Sequence, residues 1–292
     1  MLIQMDLIDD LRRLTIDRLA GHGFSTADCG NPHSLYAALD SHIVRLVLPS
    51  KYDIKISEQL RNNPQFGLQR NVVDEISDDL RSGRSVVPYL SSQVLMPDRR
   101  RDSLLTFWGI HHLHLNSRTT LDKRGLVARA DQLLFVRFDS SVAHFIDIIP
   151  HNGTDLFINS RLLEIVDQNW PHLHHSFKKV TGHDLTADLI RKVQKGNANI
   201  LININGRVIM PNSGVGADGV LMDVKWQLDR LMMQLGIVER DVRVNYPRYF
   251  GANLRLDQTF AHVRLVSLDG RQFELWEEVS GSQVRAEWPD GH

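Results

Sequence analysis

Apolar positions along the chain follow a helical period, then a strand period, then both in turn. Leu2, Ile3, Met5, Leu7, Ile8, Leu11, Leu14, Ile16 and Leu19 recur near helical spacing, and Gly21-His22-Gly23 stops the run. A loop with Cys29-Gly30-Asn31-Pro32 precedes a short expected helix over His33–Leu39, and short strands are expected over Ile43–Leu48 and Tyr52–Ile56. Gln69–Arg81 predicts an amphipathic helix, because Val72, Val73, Ile76 and Leu80 return every turn and Ser82-Gly83 ends it. A helical run over Arg99–Phe107 leads into three strand-like runs, Gly109–Leu115, Gln132–Phe138 and Val142–Ile149.

After His151 the period changes. Ser160–Val166 and Ala187–Lys195 read as helices joined by the polar segment Trp170-Pro171-His172-Leu173-His174-His175. Ile200–Ile204 and Arg207–Met210 flank Asn205-Gly206, and two residues tolerant of positive φ between strands predict a tight hairpin. Val224–Leu235 predicts a helix ending at Gly236, with Trp226, Leu228, Leu231 and Leu235 as core. Ala261–Ser267 and Gln272–Val279 flank a second turn at Asp269-Gly270. Helices and antiparallel hairpins in separate blocks point to an α+β fold: a helical N-terminal part, a central antiparallel sheet, then helices with β-hairpins. The change of period sets an expected boundary between a unit 1–155 that carries the chemistry and an accessory or regulatory unit 156–292.

Composition narrows the function classes. A chain of 292 residues with 42% hydrophobic residues has ample material for a buried core. Its net charge of -1 creates no global field for nucleic acid, so any such binding must come from a local patch. Cys29 is the only cysteine, which excludes an intramolecular disulfide and points to the cytoplasm. Met1–Leu19 is broken by charges too often for a signal-peptide core, and no run reaches transmembrane length, so no membrane partner is expected.

The chemistry concentrates in Trp108-Gly-Ile-His-His-Leu-His-Leu115. In a strand, residues i and i+2 share a face, which groups Ile110, His112 and His114. The same rule groups Leu133, Phe135 and Arg137, and then Phe145, Asp147 and Ile149. A three-strand meander gathers His112, His114, Arg137 and Asp147 on one surface with His151 at its edge, while His111 and His144 face the apolar side. Two chemistries use such a surface. In metal-free RNA cleavage one imidazole removes the 2'-hydroxyl proton, another protonates the leaving 5'-oxygen, and an arginine holds the phosphorane. Arg118 and Arg129 are then available for phosphate, and Arg99, Arg100 and Arg101 for steering the backbone. In metal-assisted hydrolysis His112 and His114 bind a divalent ion such as zinc, with Asp147 or His151 as the third ligand.

The order of a helix, Gly-Ile-His-His-Leu-His-Leu, a loop with Arg118 and Arg129, Leu-Leu-Phe-Val-Arg-Phe, and Phe-Ile-Asp-Ile-Ile-Pro-His resembles the core of RelE/ParE-like toxins. These belong to the barnase–EndoU–colicin–RelE ribonuclease group. The resemblance covers about residues 99–155. It implies a toxin-like, RNA-binding nuclease without a cofactor, with His112, His114, Arg137 and His151 at the matching positions. Its implied partners are RNA or the ribosome and a protein antitoxin or regulator, with residues 156–292 as an additional or self-inhibiting part. A third expectation is a non-catalytic interaction protein that offers hairpin edges to a partner.

Three features carry less. Gly214-Val-Gly216-Ala-Asp-Gly219 lacks the strand that a dinucleotide loop needs directly before it. His172, His174, His175 and His183 read as an exposed polar segment. Cys29 has no base placed beside it.

Overall fold

The computed structural model describes residues 2–21, 38, 45–47, 49–95, 103–119, 121–139, 141–152, 160–184, 186, 189, 192, 199–210, 222–250, 260–269 and 272–287. The Cys29 loop, the Arg99-Arg100-Arg101 run, the Gly214–Gly219 glycines and most of the expected helices at 33–39 and 187–195 lie outside them, as does most of the expected strand at 43–48. In chain order the described elements begin β1 (Leu2–Gln4), α1 (Leu7–Gly21), β2 (Asp53–Ile56), α2 (Glu58–Arg61), α3 (Pro64–Leu68), α4 (Arg70–Ser82), α5 (Ser103–Trp108), β3 (Ile110–His114) and β4 (Gln132–Asp139). They continue with β5 (Val142–Pro150), α6 (Ser160–Asn169), β6 (His175–Phe177), β7 (Ile202–Ile204), β8 (Arg207–Met210), α7 (Met222–Phe250), β9 (Phe260–Asp269), β10 (Gln272–Glu277) and β11 (Ser282–Glu287). The fold is α+β.

Two compact units form, one from residues 41–223 and one from residues 1–40 with 224–292. The boundary expected near 155 therefore falls inside a unit. The reason is burial: the central sheet is covered on both faces, and its second cover comes from residues beyond 155.

That sheet has the order β2-β5-β4-β3, with β2 parallel to β5 and the other pairs antiparallel. On one face Leu113, Leu134, Val136, Phe145 and Ile148 pack with Val73, Ile76 and Leu80 of α4 and with Tyr89. Gly83 ends α4 in the left-handed region at φ 79, where its N–H meets the last carbonyls without a Cβ penalty. On the other face Ile110, Leu133, Phe135 and Ile146 pack with Leu162, Leu163, Ile165 and Val166 of α6, with Trp170, and with Ile202, Ile204 and Ile209. The last three belong to a small sheet of order β6-β8-β7. Asn205 and Gly206 turn its hairpin at φ 50 and 75, as the Asn-Gly pair predicts.

The meander aligns His112 with Phe135 and Phe135 with Asp147, and His114 with Leu133 and Leu133 with Ile149. A bulge then intervenes: Phe135 pairs with Asp147 but Val136 with Phe145, leaving Ile146 extra. One extra residue inverts the parity of everything before it in β5. Phe145 thus joins the α4 face, and His144, expected on the apolar side, lies beside Arg137.

In the other unit the sheet runs β1-β9-β10-β11, with β1 parallel to β9. Ala261, Val263, Leu265, Phe273 and Leu275 face Leu7 and Leu11 of α1 and Leu228, Leu235, Val238, Val242 and Tyr246 of α7. Buried Asp10 ties α1 to this sheet by accepting the Leu265 N–H at 2.9 Å. Two expectations change here. Leu2–Gln4 is a strand and not the start of the helix, and α7 continues through Gly236 to residue 250, with a kink at Asn245 ahead of Pro247. A Cβ at Gly236 meets no atom within 4 Å. Gly236→Ala is therefore expected to stabilise this unit by about 0.5–1 kcal/mol; an unchanged or lower denaturant midpoint would contradict it. Among the described residues no helix is long and apolar enough to cross a membrane.

Candidate functional site

His112 and His114 lie on β3, the edge strand of the central sheet, two residues apart and on one face. The ladder between β4 and β5 extends past Pro150, where the His151 N–H donates to the Asp131 carbonyl at 2.8 Å. This brings His151 beside His114, with rings stacked at 5.6 Å and 18°. His112 meets His114 edge-on at 6.3 Å. Arg129, exposed on the connection before β4, contacts His151 Nδ1 through Nη2 at 2.9 Å. Three imidazoles and one guanidinium thus gather where β3 and β5 end and β4 begins.

Hydrogen bonds set their tautomers. A guanidinium only donates, so Nδ1 of His151 accepts and a neutral ring carries its proton on Nε2. Nδ1 of His114 accepts the Ala130 N–H at 3.3 Å, which assigns the same tautomer. Electrostatics keep both rings neutral. Burial, then the neighbouring His112 and His151 and Arg129, push His114 down to about 4. Burial, Arg129 and His112 hold His151 below the usual histidine range. His114 is buried, while His112 and His151 remain half-exposed. His112 also lines a cavity of about 40 Å³ with Arg45, Ser91, Gln93, Leu105 and His111, room for a few waters at most.

The other expected residues are engaged elsewhere. Arg137 is buried and directs Nη2 to the Leu173 carbonyl at 2.5 Å, under the cover of the sheet and not toward the histidines. Asp147 is on the expected face but accepts Asn63 Nδ2 at 2.7 Å and Arg161 Nη2 at 3.1 Å, so it anchors α3 and α6. The metal set His112, His114 and Asp147 is not assembled, and no three such ligands converge among the described residues. Arg118 donates to Asp79 at 2.6 Å and its N–H to Glu75 at 3.0 Å, which makes it a structural tie and not a phosphate ligand. Arg99, Arg100 and Arg101 lie outside the described residues.

A second polar cluster was not expected. His174, read as exposed, is buried beneath Trp108 with its Nδ1 3.8 Å from Asp167, which also accepts Arg207 at 2.6 Å. His144 lies 4.6 Å from the Trp170 ring. Among the described residues, neither ring nitrogen of His144 or His174 has a hydrogen-bond partner. The available signal was Leu173, an apolar residue directly before His174 whose burial carries that histidine into the core, while Pro171 and His172 stay exposed. No protein-family model, curated protein or solved structure matches the chain.

Proposed function

We propose that the protein is a cytoplasmic, metal-independent ribonuclease whose site is the row His112, His114 and His151 with Arg129. The observation that carries this reading is the Arg129–His151 contact within a row of three imidazoles. A permanent cation held against lone-pair acceptors is an arrangement poised for an anion, and a phosphodiester is the anion that then needs acid–base chemistry. An arriving phosphate draws Arg129 away and frees Nδ1 of His151. The same negative charge raises the proton affinity of His114 and His151, which burial and Arg129 had lowered.

In the reaction, one of the two half-exposed imidazoles, His112 or His151, takes the proton of the ribose 2'-hydroxyl. The 2'-oxygen attacks phosphorus, the bond to the 5'-oxygen breaks, and the other imidazole, protonated, gives its proton to that oxygen. The products are a 2',3'-cyclic phosphate and a free 5'-hydroxyl. Arg129 and the Nε2–H of His114 stabilise the phosphorane. The resemblance of residues 99–155 to RelE/ParE-like toxins supports the same chemistry, with Arg129 in the role expected of Arg137.

Total RNA, with and without ribosomes, incubated in excess EDTA tests this. Wild-type protein is expected to cleave, and His112→Ala, His151→Ala and Arg129→Ala each to lose roughly 10²-fold or more. Cleavage that is silent in EDTA, or that survives all three substitutions, overturns the reading.

A further inference from the structure

Helix α7 carries two apolar faces. One, with Leu228, Leu235, Val242 and Tyr246, is buried on the sheet of its own unit. The other consists of Trp226, Met233, Ile237 and Val244, which are 58%, 62%, 43% and 73% exposed. At 3.6 residues per turn these four fall within about 40° of one another, opposite the buried face, in a stripe about 27 Å long. Large apolar side chains aligned this way on a water-facing helix mark an interaction surface. The helix departs from helical geometry only at Asn245, ahead of Pro247, so the stripe occupies its regular part.

The stripe has a symmetry that identifies its occupant. Trp226 and Val244 are equally far from Leu235 along the helix, and so are Met233 and Ile237. The bordering charges follow it to within one residue, six and five positions from Leu235, with opposite signs on each border. Asp229 and Arg240 border one side of the stripe, and Arg230 and Asp241 border the other. In an antiparallel helix pair each border meets the same border of its partner. Asp229 then faces the partner's Arg240 and Arg230 faces the partner's Asp241, while Trp226 covers the partner's Val244 and Met233 the partner's Ile237. A parallel pair sets Asp229 beside the partner's Arg230 and Arg240 beside the partner's Asp241, which suits the charges equally, but it stacks Trp226 on Trp226 and Val244 on Val244; the antiparallel pair matches large to small and keeps the helices evenly spaced.

We infer that the exposed face of α7 is a homodimer interface, in which two copies of the chain pair their α7 helices antiparallel about a two-fold axis passing beside residue 235. Such a contact is isologous and closes at two copies. One helix pair is smaller than the standard interface of roughly 1,600 Å², so the dimer is expected to dissociate in the micromolar range.

Light scattering and sedimentation of the full chain from about 1 to about 200 µM read this directly. Wild type is expected to pass from monomer to dimer across that range. Met233→Glu, on the exposed face, is expected to weaken the dimer at least tenfold while leaving the circular dichroism spectrum unchanged. Asp229→Arg and Arg240→Asp are each expected to weaken it several-fold, and the double exchange to restore it by re-forming the pair with inverted sign. A monomer at every concentration overturns the inference, as does a dimer indifferent to Met233→Glu. A double exchange that adds its two losses overturns the antiparallel register.

Discussion

Acidification from pH 7 to 5 is expected to destabilise the unit of residues 41–223 by several kcal/mol. His114, His144 and His174 are each buried, and burial is the first cause that pushes them down to about 4, about 4 and about 3. An unfolded chain restores each ring to its ordinary value near 6.5. Between about 6.5 and 4 the folded state therefore binds fewer protons than the unfolded one, and stability falls as pH falls. It is complete above that window and is lost progressively within it. Each imidazole contributes at most about 2 kcal/mol of loss by pH 5, against a total stability of roughly 5–15 kcal/mol for a domain. Urea midpoints at pH 7, 6 and 5 measure the slope. His144→Leu isolates one contribution, because among the described residues neither ring nitrogen of His144 has a hydrogen bond to lose. It is expected to remove about 1.4 kcal/mol per pH unit from the slope. Midpoints that do not move between pH 7 and 5 would show that these rings titrate in the fold as they do in the unfolded chain.

Asp79→Ala is expected to cost this unit about 3–5 kcal/mol, the usual result of removing one side of a buried ion pair. Asp79 is 2% exposed and accepts Arg84 and Arg118 at 2.6 Å each and the Tyr89 hydroxyl at 3.1 Å. Burial alone raises its pKa, but the hydrogen bonds from Arg118 and Arg84 outweigh burial and hold it below the ordinary value. Its contribution is present above the unfolded carboxyl range and disappears as pH drops below it. Asp74→Ala is the matched control on the same helix. Its partner Arg70 stands at 2.9 Å, but both side chains are more than half exposed. Solvent screening leaves such a pair about 0.5 kcal/mol or less. Thermal melts of the two variants should separate widely, and equal melting temperatures would remove Asp79 from its structural role.

The contrast between these two aspartates shows what the chain discloses before it folds. Gln69–Arg81 reads as a helix from its period alone, yet nothing in that period distinguishes Asp79, whose arginine partners lie in later loops. Likewise His112 and His114 share a face because strand geometry requires it, and the Asn205-Gly206 turn follows from two residues that accept positive φ. His144 was misassigned because a single extra residue at Ile146 inverts the alternation, and Phe-Ile-Asp carries no local mark of a bulge. Arg118 and Arg129 look equivalent in sequence. Only the proximity of Asp79 to one and of His151 to the other separates a structural tie from a site residue. Trp226 precedes Leu228 by two residues, about 200° around α7, so the helical period itself sets it apart from Leu228 and Leu235, and a helix packed on a sheet buries one side only.

Strand β1 also sets an order of events. Leu2–Gln4 pairs with Phe260–His262, and the core around Leu7 and Leu11 is completed by residues of β9 and β10. During synthesis at about 5–20 residues per second, the first strand and helix leave the ribosome roughly ten to fifty seconds before their partners exist. The whole of residues 41–223 emerges in that interval and can reach its own fold first. The nascent chain must therefore keep an amphipathic N-terminal segment from aggregating while an intact neighbour is already formed behind it.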